Sequence, residues 1–281
     1  MSTEYNSLLA TDMDYTLLMP GEDVPEENIA AVQALLSEGI AFTIATGRSS
    51  YLVGKFAERL QIDVPIITGN GGALFDAAKR EHIRTEDFPE QKLRYLLRLM
   101  LDNAVDATLY SVSGIYFTPS STRRFFCDDY NRDVERALKA PLINISASVL
   151  EEATIPSFNK FLLINPPAEI EEQLRHDKDL TLVSSGPGFI DVMPAGVSKG
   201  KALLELADFL GVPRDMTFAA GDSENDISML SSARYGICMS NGTPEAKACS
   251  SYIAPRCEEM GFSRAVYEYV IPIARQRSGR L

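Results

Sequence analysis

Carboxylates placed as a close pair at the end of an apolar run are the first feature of this chain that could do chemistry. Asp12 and Asp14 stand two residues apart in Asp12-Met13-Asp14-Tyr15-Thr16, directly after the apolar run Ser7–Thr11. Once a chain leaves the pleat of a strand, two such side chains can face one small volume. One can attack phosphorus as a nucleophile; the other can protonate a leaving oxygen and later activate water. Like charges this close are costly without a compensating cation, so a metal is chemically expected. Taken alone, the pair suits a solvated loop equally well.

Three further groups could serve the same reaction. Thr46, Gly47 and Arg48 follow a second apolar run. A threonine hydroxyl and a glycine N–H can hold a phosphate oxygen, although a helix cap would use the same residues. Lys199 opens a helical segment, where a cation opposes the usual charge preference and points to work on an anion. Ser198 reads as the cap and Lys201 as solvated. Gly221-Asp222-Ser223-Glu224-Asn225-Asp226 follows a third run. Its hard oxygen donors suit Mg2+, with Asp222 the natural ligand, and a helix-capping cluster is the competing explanation.

The elements that must position these residues alternate. Residues 7–11, 40–45 and 64–68 read as strands, with helices over 25–38 and 49–60 between them. This order predicts a parallel sheet with right-handed crossovers. The pattern returns with a helix over 198–210, strands over 216–220 and 235–239, and helices over 226–232 and 260–270. In an open parallel sheet ligands bind beyond the carboxyl ends of the strands, and all four groups fall at the ends of strands or the starts of helices. The middle differs. A helix over 91–103, a strand over 107–113 that alternates as if one face were exposed, and strands over 158–164 and 180–185 predict an inserted α+β domain. Ser185-Gly186-Pro187-Gly188 reads as a hairpin turn. The domains are expected at 1–81 with 191–281, and 82–190, the chain crossing near 87–90 and 191–196.

Composition narrows the function. The chain has 281 residues and a formal net charge of −12. No dense basic run marks a nucleic-acid surface, and the basic tail Arg275–Arg280 reads as a solvated end. Four cysteines without a close pair and two histidines argue against zinc and suit reduced thiols in a cytoplasmic protein. No secretory signal and no run of about 20 apolar residues is visible, so no membrane partner is expected.

Together the four groups resemble the motifs of the haloacid dehalogenase (HAD) superfamily, in its Cof-type phosphatase subfamily with a C2B cap. The turn Asn70–Ala73, Ser240–Gly242 and Glu258–Gly261 are similar too, and the resemblance covers nearly the whole chain. It implies a Rossmann-like core with an inserted C2B-type cap, and Mg2+-dependent hydrolysis of a small phosphorylated metabolite through an aspartyl phosphate. Asp12 would be nucleophile and metal ligand. Asp14 would be the acid/base and give the metal its backbone carbonyl. Asp222 would complete the ligands, with Asp226 supporting them. The Met13 backbone, Thr46, Gly47, Lys199 and Asn225 would hold the phosphoryl group. The subfamily usually has Gly where this chain has Tyr15. Arg123, Arg124, Phe125 and Tyr130 are cap candidates for substrate contact, with surface or core roles the stronger expectation. A phosphomutase, a non-catalytic sensor of a phosphorylated ligand and a dehalogenase are the alternatives, and the last fits least. A monomer or small homo-oligomer is expected.

Overall fold

The computed structural model describes residues 5–19 and 21–278. Strand β1 (Ser7–Thr11) leads to helix Glu26–Ser37 and β2 (Ile40–Ile44). Helix Gly54–Leu60 and strands β3 (Ile66–Thr68), β4 (Ala73–Asp76) and β5 (Glu81–Thr85) follow. The middle supplies β6 (Ala107–Ser111), β7 (Gly114–Phe117), β8 (Leu142–Asn144), β9 (Lys160–Ile164), β10 (Leu180–Gly186) and β11 (Phe189–Pro194). The last part supplies β12 (Thr217–Gly221), β13 (Tyr235–Met239) and β14 (Tyr252–Ala254).

Five strands pair in parallel in the order β14-β13-β12-β1-β2. β1, β2 and β12 are buried along their whole length, as strands covered on both faces must be. Because they run parallel and nearly in register, Thr11, Ile44 and Gly221 end at one edge. The residues that follow them are therefore neighbours in space although far apart in sequence. A bridge between Ala45 and Ile67 sets β3 beside the end of β2, and β3, β4 and β5 form a small antiparallel sheet.

A six-stranded sheet in the order β10-β11-β9-β6-β7-β8 forms the inserted cap. One face carries Leu109, Phe161, Leu163, Ile190 and Val192, which pack with Leu93, Leu96, Leu97, Ile170 and Leu174 of helices Glu90–Asp102 and Ala168–Arg175. The other face carries Tyr110 opposite Lys160, and Asp191 opposite Leu162. Tyr110 belongs to the same buried cluster as the core sheet and as Cys127 and Tyr130 of helix Arg124–Asp133. This explains one departure from the sequence reading: β6 has no exposed face, because both sides of the cap sheet are covered.

Other departures are local. Residues 49–60 are not one helix; a short 3-10 turn at Ser50–Leu52 precedes Gly54–Leu60, with Val53 between them at φ −114°. The closing helix runs past residue 270: Gly261–Ala265 passes through a wide turn at Val266–Val270 into Ile271–Ser278. The boundaries at 81/82 and 190/191 cut through paired strands, since β5 pairs with β4 and β11 pairs with β9 and β10. We propose crossings at 86–89 and 195–198 instead.

The Asn70–Gly72 turn packs against the start of helix Lys199–Leu210, and Gly71 makes that approach possible. Its φ is +97°, and a Cβ there would stand 2.2 Å from the Ser198 carbonyl oxygen. Gly71→Ala is expected to cost about 2 kcal/mol or more by adding a clash to an unfavourable backbone conformation. Thermal melting checks this; an unchanged midpoint contradicts it.

Candidate active site

At the end of β1 the backbone turns tightly. Asp12 N donates to Ala220 O at 2.8 Å, and the Met13 carbonyl accepts from Leu17 N and Leu18 N at 2.9 and 3.0 Å. This turn aims the Asp12 carboxylate at the strand-end edge. Lys199, the first residue of its helix after the Ser198 cap, reaches the same point. Its Nζ lies 2.6 Å from Asp12 Oδ1 and 2.7 Å from Asp226 Oδ1, with the lysine and Asp226 wholly buried. Asp226 Oδ2 accepts from the Asp222 and Ser223 amides at 3.0 and 3.1 Å. The capping cluster and the charged site are thus the same residues. Thr16 Oγ1 donates to Asp222 Oδ1 at 3.0 Å. Gly221 has no room for a side chain, since a Cβ would meet Asp226 Cγ at 2.6 Å.

The electrostatics show a cation deficit. Burial, joined by the charge of Asp226 and opposed by Lys199, raises the Asp12 carboxyl well above its usual range. Burial and Asp226 push Asp222 up to about 7, against the Thr16 hydrogen bond and Lys199. Burial alone would lower the Lys199 ammonium, but Asp12 and Asp226 outweigh it and hold it above its ordinary value. One ammonium therefore faces three buried carboxylates. Oxygens of Asp12, Asp222 and Asp226 lie within 4.8 Å of one another. Hard donors with excess negative charge fit a small divalent cation.

Phosphate-binding candidates surround this cluster. Thr46 is buried and its Oγ1 accepts from Arg48 N at 3.1 Å. Asn225 Nδ2 donates to Asn70 Oδ1 at 3.2 Å, and Asn70 Nδ2 donates to Asp191 Oδ2 at 2.7 Å. Lys160 Nζ donates to the Gly47 carbonyl at 2.7 Å and ion-pairs with Asp191 Oδ1 at 2.6 Å. Lys160 is 2% and Asp191 0% exposed. Burial lowers the Lys160 ammonium despite Asp191. The Asp14 carboxylate lies apart from the carboxylate cluster. It takes a two-pronged contact from Arg48, Nη2 at 2.6 Å and Nε at 3.0 Å.

The structure thus gathers Asp12, Lys199, Asp222 and Asp226 at one point. It links Asn225 through Asn70 to Asp191, and on through Lys160 to Gly47. Met13 is buried below. Arg48 and Asn70 appeared in the sequence motifs without an assigned function. Lys160 and Asp191 were missed: no local pattern joins residues 121 apart, as Asn70 and Asp191 are.

A parallel core sheet, an inserted cap and an acid-lined strand edge define a hydrolase of the HAD type, and comparison with known proteins agrees. The family model for haloacid dehalogenase-like hydrolases matches residues 9–266. The 5-amino-6-(5-phospho-D-ribitylamino)uracil phosphatase YwtE of Bacillus subtilis is 30% identical over 90% of this chain and 94% of its own. A haloacid dehalogenase-like hydrolase structure from B. subtilis superposes with TM-score 0.81 at 26% identity, covering 94% of this chain and 99% of that one. The HAD subclass IIB sugar phosphatase BT4131 superposes with TM-score 0.79 at 25% identity, again covering 94% and 99%. The chain belongs to the haloacid dehalogenase-like hydrolases and is a phosphatase of small phosphomonoesters. No helix among the described residues is long and apolar enough to cross a membrane.

The Tyr15 departure has a backbone reading. Tyr15 sits at φ 63° with half its surface exposed. Glycine adopts that conformation freely, whereas an L side chain there costs about 1–2 kcal/mol. Tyr15→Gly is expected to raise stability by up to about 1 kcal/mol, part of the relief being offset by the freer unfolded chain. Chemical denaturation measures it; a clear loss of stability would show that the ring carries packing energy.

Proposed function

We propose that the chain hydrolyses a small phosphomonoester, such as a sugar phosphate or a phosphorylated cofactor precursor, through an aspartyl phosphate on Asp12. The observation that carries this is the Asp12 carboxylate held at 2.6 Å by a buried ammonium at the strand edge, with a second carboxylate, Asp14, two residues on. An Asp12 oxygen attacks phosphorus and the phosphorus–oxygen ester bond breaks. The leaving oxygen takes its proton from Asp14. Asp14 then takes a proton from water, whose oxygen attacks the phosphorus of the acyl phosphate, releasing phosphate and restoring Asp12.

The Met13 backbone, Thr46, Gly47, Asn225 and Lys199 hold the phosphoryl oxygens, since phosphoryl transfer asks mainly for positioning and charge stabilisation. Asp12, Asp222 and the Asp14 backbone carbonyl would hold Mg2+, with Asp226 fixing Lys199 and the Asp222 turn. Bound there, the ion would neutralise charge on the transferring group. The Arg48 contact occupies both Asp14 oxygens and opens when Asp14 meets the ester oxygen. YwtE, a phosphatase of a phosphorylated ribitylaminouracil, supports a polyol-phosphate substrate of comparable size.

Substitution separates the two acids. Asp12→Asn is expected to abolish turnover, because an amide cannot form the acyl phosphate. Asp14→Asn should slow sugar phosphates by about 10²–10⁴. With an activated aryl phosphate it should give a burst of phenol of at most one per site, then slow turnover. Rapid quench and peptide mass spectrometry read the outcome. Phosphate on Asp14, or an Asp12→Asn protein working near the wild-type rate, contradicts the assignment. Release of inorganic phosphate, rather than an isomerised sugar phosphate, separates hydrolysis from mutase chemistry.

A further inference from the structure

Several cations at the cap–core junction are spoken for. Lys199 is shared by Asp12 and Asp226, Arg48 is held by Asp14, and Lys160 by Asp191. Arg124 meets Asp128 at 3.5 Å and Asn144 Oδ1 at 2.6 Å. Arg123 differs: among the described residues it has no carboxylate and no hydrogen-bond acceptor. It is partly buried, with its guanidinium carbon 4.0 Å from the Phe126 ring centre and 5.5 Å from that of Phe189.

Those rings place it over the leaving-group side. Phe126 also lies 5.6 Å from the Arg48 guanidinium carbon, and Arg48 holds Asp14, the acid that serves the leaving oxygen. Phe189 shares its face of the cap sheet with Asp191, Lys160 and Tyr110 by strand register. Burial raises the Tyr110 phenol, and Arg123 and Arg48 both oppose that rise, so both cations are felt at one point of this face. Two guanidinium groups against one ring repel each other unless an anion enters. Ring stacking alone is a weak hold on a partly solvated arginine.

We propose that Arg123 binds a second anionic group, carboxylate or phosphate, on the leaving portion of the substrate, so that the enzyme prefers phosphomonoesters with an anionic tail. This rests on the phosphatase reading above and deepens it. The transferring phosphoryl group goes to Asp12 and Lys199, the ester oxygen to Asp14, and the tail runs past Phe126 to the guanidinium. Neutral polyol phosphates would fill the same space without neutralising Arg123.

The test uses matched substrates, 6-phosphogluconate against sorbitol 6-phosphate, which differ in one terminal carboxylate. Wild-type protein should show kcat/KM at least about tenfold higher for the carboxylate, as expected for one charge-assisted contact. That preference should shrink as ionic strength rises. Arg123→Met, which keeps the stacking and removes the charge, should bring the ratio of the two kcat/KM values close to one. Arg123→Lys should recover part of it. A wild-type ratio near one with both compounds, or a ratio unchanged in Arg123→Met, overturns the proposal. Should no phosphate ester be turned over at all, the hydrolytic reading fails. Calorimetric binding of ω-carboxyalkyl phosphonates against alkyl phosphonates of equal length then still decides: tighter binding of the carboxylates that Arg123→Met removes supports the tail site, and equal binding overturns it.

Discussion

A lysine ammonium closed off from water, 2.6 Å from Asp12 and 2.7 Å from Asp226, constrains the structure around it. A buried charge is tolerated only when paired and hydrogen-bonded. The pairing demands that β1, helix Lys199–Leu210 and the turn after β12 meet at one point. The glycines follow from the same demand: Gly71 lets the turn reach Ser198, and Gly221 leaves room for Asp226. The arrangement fixes geometry but leaves charge over, since one ammonium faces three carboxylates. That residue of negative charge makes the pocket receptive to a divalent cation, and to an anionic phosphoryl group once the cation is present.

A second buried pair repeats the logic one layer up. Lys160 and Asp191 come from neighbouring cap strands and are almost wholly inaccessible. Both reach down to the core, Lys160 to the Gly47 carbonyl and Asp191 to Asn70. Asn70 passes the contact to Asn225. The cap is therefore joined to the residues proposed to bind phosphate by polar contacts that lose their partners if it moves away. Unpaired buried polar groups are costly, so seating of the cap and alignment of Asn225 are coupled.

Much of this was legible in the sequence, for a physical reason. Central parallel strands are apolar runs closed by turn residues, so β1, β2, β12 and β13 stand out, and the acids at their ends are local motifs. Helix Lys199–Leu210 announces itself by the Ser198 cap and the left-handed Gly211. The cap was harder. β7 has four residues, and helix Arg124–Asp133 buries only Cys127 and Tyr130, leaving little periodicity to read. The alternation of β6 suggested an exposed face because its threonine and serine are polar, yet packing covers both sides. The Asp14–Arg48, Asn70–Asp191 and Lys160–Gly47 contacts depend on tertiary approach, which residue spacing does not encode.

The carboxylate cluster carries more negative charge than Lys199 balances, and metal-linked stability tests this most directly. Asp222 has its folded value near 7, above that of an ordinary carboxyl. The folded site thus keeps a proton that the unfolded chain gives up. Metal-free stability is therefore lost as pH climbs from about 4 to about 7, and stays lost above. Mg2+ needs the carboxylates ionised, so its stabilisation should grow over the same range. Thermal midpoints would be read in chelator and in millimolar Mg2+, near pH 5.5 and near pH 8, for wild type and Asp222→Asn. The account predicts a Mg2+ shift in wild type that is clearly larger near pH 8, and most of it absent in Asp222→Asn. A shift equal at both pH values, or unchanged by Asp222→Asn, would contradict it.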